Sequence, residues 1–181
     1  MSLPDHTWAA KTFWSERPLG HRERQLTQAV GPWVARAFQY TDRPCFLLTL
    51  TCKQTKPDEK GNFVWLSPDI LKYQLEIYFR RIDWQVYRNA SRRGKKAIER
   101  FCVIEGGAHT DKRIHIHLLV LAPPRQYMEP MEFVRTMILT WQTSPWGMKD
   151  AHWEHAYDPA GAARYLMKTG LDAIDWHNTK L

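Results

Sequence analysis

The chain has 181 residues, 44% hydrophobic and 13% aromatic, with nine tryptophans. That size and composition suit one domain with a sizeable core and exclude a disordered chain. No apolar run approaches the ~18 residues of a membrane span, and Met1 to Phe13 carries no apolar signal core. A net charge of +7 favours a polyanionic partner.

In chain order, residues 1–40 read as an N-terminal extension, partly helical. Its helical periodicity runs from Glu23 to Phe38, with Gly31-Pro32 as the expected break. Residues 41–181 read as the main domain. Cys45 to Cys52 reads as a strand that starts after Pro44. A polar turn is expected from Lys56 to Asn62. Ser67-Pro68 then opens a helix, with serine as N-cap and proline in the first turn. Leu71, Leu75, Tyr78, Phe79, Ile82 and Val86 follow at helical spacing as a core stripe.

From Arg80 to Arg100 the chain carries eight basic residues against Asp83 and Glu99. A local excess of this kind points to nucleic acid. The candidate contacts are Lys53, Arg80, Arg81, Arg88, Arg92, Arg93, Lys95 and Lys96. Exposed tryptophans such as Trp65, Trp84 or Trp146 could stack on unpaired bases, although most of the nine are expected in the core. Cys45, Cys52 and Cys102 form no C-x-x-C pair, which fits reduced thiols and a cytoplasmic setting.

Phe101 to Glu105 reads as a second strand and Ile114 to Leu121 as a third, joined through Gly106-Gly107 as an antiparallel hairpin. Met131 to Gln142 is a helix with Met131, Val134, Ile138 and Trp141 at core spacing. Ala151 to Tyr157 is a weaker strand. Asp158-Pro159 caps a last helix that ends near Gly170. The order suits an α+β fold, a central antiparallel sheet of about five strands with helices packed on it.

Strand side chains alternate faces. Ile114, Ile116, Leu118 and Val120 therefore share a core face, while His115 and His117 share the other. If Glu105 pairs with His115 across the hairpin, its carboxylate joins both imidazoles. A slip of one residue would break that set. Glu105 could instead be a strand-end carboxylate facing solvent, and His109 in the intervening loop is a weaker ligand candidate. Two nitrogens and one oxygen suit Mn²⁺, Mg²⁺ or another divalent ion. On the last helix Tyr165 and Lys168 lie three residues apart on one face.

The ordered set Phe46-Leu47-Leu48-Thr49-Leu50-Thr51, His115-Ile116-His117 and Tyr165-Leu166-Met167-Lys168 resembles the three motifs of the HUH endonuclease superfamily. It is most similar to single-tyrosine rolling-circle replication initiators. The likeness spans about residues 45 to 170. It implies a ferredoxin-like antiparallel sheet with a metal site on one face and helices on the other. His115, His117 and Glu105 would hold a divalent metal, Mg²⁺ or Mn²⁺. Tyr165 would attack single-stranded DNA at an origin or hairpin, leaving a 5′-phosphotyrosine and a free 3′-hydroxyl, with Lys168 assisting. His152 and His155 are candidate helpers, more readily read as structural or solvent-facing. The chain carries no G-x-x-x-x-G-K-[ST] phosphate loop, so the resemblance implies a host helicase as partner, a nuclease-domain fragment, or service to a transposon or phage. A non-catalytic single-strand-binding module and a phosphodiesterase using water are the alternatives. A structural zinc site lacks a fourth ligand or cysteine pair at suitable spacing.

Overall fold

The alternation of apolar and polar residues in Cys45–Cys52 organises the molecule. A computed structural model describes residues 20–39, 42–107, 112–168 and 170–181. Its elements are α1 (His21–Gln39), β1 (Cys45–Cys52), β2 (Thr55–Pro57), β3 (Phe63–Trp65), α2 (Pro68–Tyr87), α3 (Asn89–Arg92), β4 (Arg100–Glu105), β5 (His115–Leu121), α4 (Pro130–Gln142), β6 (Gly147–His155) and α5 (Pro159–Leu166). A 3-10 turn follows at Leu171–Ala173.

The fold is α+β, with one antiparallel sheet of four strands rather than five, in the order β4-β5-β1-β6. Among the described residues β2 and β3 pair only with each other. The stretch expected as a plain turn is the tip of this small hairpin, where the Asp58 carboxylate accepts from the Lys60 and Asn62 amides. The fourth strand starts at Gly147, four residues before the expected Ala151, and ends at His155.

Each face of the sheet has its own core. Phe46, Leu48, Leu50, Ile116, Leu118 and Val120 pack against α2 and α4. Phe101, Val103, Leu119 and Leu121 pack against Val34 and Phe38 of α1 and Ala163 and Leu166 of α5. Fully burying one such side chain contributes roughly 1.5–3 kcal/mol. Helices thus cover both faces, not one as expected.

α2 forms as its sequence predicts. Ser67 Oγ accepts from the Ile70 amide at 3.3 Å, and Leu71, Leu75, Tyr78, Phe79, Ile82 and Val86 are all buried. In α4 the buried arc is Phe133, Val134, Met137 and Trp141. Met131 lies about 120° around the helix from Met137 and is 51% exposed, so it is not a core residue. Ile138 packs at the margin of the core.

α1 runs unbroken through Gly31-Pro32. Packing of Val34 and Phe38 offsets the ~3 kcal/mol cost of an interior proline. Gly31 is buried where a Cβ would stand 2.9 Å from Arg164 Cγ, so its lack of a side chain lets α1 approach α5. α5 starts at an Asp158 cap, whose carboxylate accepts from the Gly161 amide at 2.9 Å. It ends at Leu166 rather than near Gly170, and Lys168 lies in the turn beyond it.

Candidate metal centre

The β4–β5 hairpin has the register that joins the three candidate ligands. Glu105 pairs directly with His115, and Val103 with His117. Glu105 Oε2 lies 3.7 Å from His115 Nε2 and 3.7 Å from His117 Nε2. One ligand atom from each residue lies within 4.8 Å of the others. A single ion with bonds of ~2.1 Å spaces its ligands about 3–4 Å apart, so modest closure would suffice.

The surroundings aim the rings. His117 Nδ1 lies 3.0 Å from Thr49 Oγ1, and His115 Nδ1 lies 2.8 Å from the Arg113 carbonyl. The carbonyl can only accept, so His115 carries its proton on Nδ1 and turns a bare Nε2 toward Glu105. The two rings stand at 85° with centroids 4.8 Å apart. Gln54 clamps the backbone just before His115, donating to the Ile114 carbonyl and accepting from its amide.

The charge states suit a cation. Burial raises the Glu105 carboxyl, but His117, Lys168 and His115 together outweigh it and hold it below the ordinary carboxylate range. Burial lowers His115, with the charges of His117 and Lys168 adding to it, against the Arg113 carbonyl and Glu105. An anionic oxygen and a neutral imidazole are what a divalent ion requires. Glu105 is 3% exposed, and its Oε1 has no hydrogen-bond partner among the described residues. A buried, unpartnered carboxylate oxygen is costly unless something cationic joins it. The Glu105–His115–His117 group therefore fits a divalent metal ion.

Lys168 and Tyr165 sit beside this group. Lys168 Nζ lies 3.6 Å from Glu105 Oε2 and 4.1 Å from the centre of the Tyr165 ring. Tyr165 is 56% exposed and borders a groove with Leu47, Glu154, Tyr157, Asp158 and Ala162. Gly161 serves the cap of this helix, since a Cβ there would meet Asp158 Oδ2 at 2.3 Å. His152 pairs with Thr49 on the same sheet face as His117, whereas His155 pairs with Phe46 on the opposite face. The His155 ring packs on Phe46 and stacks with Tyr157, and His155 borders the same groove as Tyr165. His109 lies outside the described residues.

The basic candidates do not converge on this centre. Arg80, Arg81, Arg88, Arg92, Arg93, Lys95 and Lys96 belong to α2, the bend between α2 and α3, α3 and the turn after it, and α2 packs on the other face of the sheet. Lys53 follows β1 and donates to the Pro145 carbonyl. Arg100 is buried, not part of a basic surface. Trp65 and Trp84 are exposed, and Trp146 is buried. Sequence reasoning missed Thr49, Gln54 and Arg113. Thr49 carried a signal, as a polar residue on the β1 face that pairs with β5; a carbonyl acceptor such as that of Arg113 carries none.

The fold and site define an α+β protein with a Glu-His-His group that could hold a metal ion on one face of an antiparallel sheet. Comparison with family models, curated proteins and solved structures finds no match.

Proposed function

We propose that this chain is a metal-dependent endonuclease and strand transferase of the HUH type, acting on single-stranded DNA. The observation that carries the reading is the junction at Lys168. Its ammonium touches the carboxylate of the cation site on one side and the Tyr165 ring on the other.

Glu105, His115 and His117 would hold Mg²⁺ or Mn²⁺, which when bound polarises a phosphate oxygen. Tyr165 supplies the nucleophile. Its phenol oxygen bonds to phosphorus as the P–O3′ bond breaks. The phenol proton leaves to solvent and the 3′ oxygen gains one, giving a 5′-phosphotyrosine and a free 3′-hydroxyl. A phenol with a pKa of ~10 is a weak nucleophile at neutral pH, and the Lys168 charge would stabilise the charge that develops on the phosphate. The phosphotyrosine bond keeps the energy of the broken link, so the same site can rejoin strands and initiate rolling-circle replication.

The test is a denaturing gel of origin-bearing single strands incubated with the protein and Mn²⁺. A covalent protein–DNA adduct that disappears with Tyr165→Phe supports the reading. Cleavage without adduct that survives Tyr165→Phe would mean a phosphodiesterase that uses water. Binding without any metal-dependent cleavage would mean a non-catalytic module.

A further inference from the structure

The solvent side of α2 carries Ile77, Arg81 and Trp84 at helical spacing, so they form one stripe, and Arg88 follows at the bend just beyond the helix. Ile77, Arg81 and Trp84, with Arg92, Lys96 and Lys180, border a groove between α2 and the chain after α3. Trp84 is 41% exposed in that groove. The Arg88 guanidinium lies 4.8 Å over its ring and that of Arg92 6.0 Å.

The backbone is bent to achieve this. Arg88 has φ 50° and ψ −125°, the one non-glycine residue with positive φ among the described residues. Such a conformation is unfavourable for a residue with a Cβ and tends to persist where function holds it. The bend ends α2 and starts α3, and so returns Arg92 to the same ring.

The nearby carboxylates are already engaged. Asp83 holds Arg100 and the Ile98 amide; Glu76 pairs with Arg80; Glu99 pairs with Arg43. Arg81, Arg88 and Arg92 have no carboxylate partner among the described residues. A guanidinium lying on an aromatic face keeps its N–H edges free for phosphate.

We propose that this groove is a second nucleic-acid site. It takes the phosphodiester backbone of a single strand, with one base stacked against Trp84. It shares with the function proposed above only the class of ligand, and needs neither metal nor cleavage. It lies across the sheet from Glu105, His115 and His117. A strand held here is therefore a different stretch from the one at the metal centre.

The experiment is fluorescence anisotropy of labelled oligothymidylate with the full chain in EDTA, at ~50 and ~200 mM salt. The expected result for Arg81→Ala with Arg92→Ala is at least tenfold weaker binding and a salt slope lower by about 1.4, from ~0.7 per phosphate contact. Trp84→Leu weakens binding about tenfold with the slope unchanged. The control Arg36→Ala with Arg135→Ala removes the same charge from exposed positions on α1 and α4, and stays within twofold. Arg88→Gly relieves the backbone, raising the melting temperature by about 2–4 °C per kcal/mol released, while affinity falls. An equal loss in the control overturns the proposal. So does duplex DNA bound as tightly as oligothymidylate, or variants that lose only binding to phosphatidylserine vesicles. Nicking is read separately through Tyr165→Phe, so each reading can fail alone.

Discussion

His117 meets Thr49, and His115 meets the Arg113 carbonyl, each through Nδ1. Partners of this kind fix ring orientation, and their loss typically costs 10–100-fold in metal affinity. Thr49→Val keeps the shape of the strand residue and removes the hydroxyl. Calorimetric titration should show Mn²⁺ binding weakened about 10–100-fold, with the melting curve of the metal-free protein little changed. Unaltered affinity would mean that Thr49 does not orient the ring. The cysteines illustrate the opposite case, reactive groups made inert. Burial pushes the Cys45 thiol up to about 12 and likewise raises Cys52 and Cys102. Thiolate is the reactive form. All three thiols should therefore resist an aromatic disulfide reagent at pH 8 in the native protein, and all three should react after denaturation. Residue types and alternation made Glu105, His115 and His117 legible in the sequence. What aims them was less so, because a backbone acceptor such as the Arg113 carbonyl has no residue signature.

At the scale of elements, the hairpin between β4 and β5 decides whether the three ligands meet. Gly106 stands at φ 89°, a region that favours glycine, and a Cβ there would come 2.2 Å from the Arg113 carbonyl oxygen. That oxygen is the one that holds His115. Gly106→Ala therefore strains the turn and displaces a support of the site together. The expected loss is roughly 1–3 kcal/mol from the backbone alone, seen as a lower urea midpoint, with weaker Mn²⁺ binding in the same variant. If stability falls and metal affinity does not, the turn and the site are uncoupled. The sequence indicated this hairpin through Gly106-Gly107 and the alternation on either side. It misplaced the end of α5. Nothing local marks Leu166 as the stop, because Gly170 at φ 105° turns the chain only later.

At the scale of the whole molecule, the last eleven residues show what periodicity cannot. They carry no helix or strand pattern, yet they cover the outer edge of β4. The Arg100 amide donates to the Lys180 carbonyl at 2.7 Å, and Lys180 donates back at 2.8 Å. The Asp175 amide donates to the Cys102 carbonyl at 2.9 Å, and Thr179 Oγ1 accepts from the Cys102 amide at 3.1 Å. Arg100 is 3% exposed. It donates to the Asn178 and Ile98 carbonyls, reaches Asp83 at 3.4 Å and lies 4.1 Å over the Phe79 ring. From the sequence it counted with a basic surface; in the fold it is a buried cation that the C-terminal segment helps to satisfy. A chain ending at Gly170 would leave β4 as an open edge and take the Asn178 carbonyl from that cation. Unsatisfied buried groups cost ~1–3 kcal/mol each, and more when charged. Several together approach the ~5–15 kcal/mol that holds a domain. The truncated chain should therefore unfold at much lower urea or collect as aggregates through the exposed edge. If it folds, the Cys102 thiol should become accessible to the reagent that the full chain resists. A truncated chain that melts within ~1 kcal/mol of the full one, with Cys102 still protected, would show that the sheet closes its own edge. Thr179→Val gives the graded version, removing one acceptor and costing about 1–3 kcal/mol, because the Cys102 amide then faces no partner on the side that the segment closes.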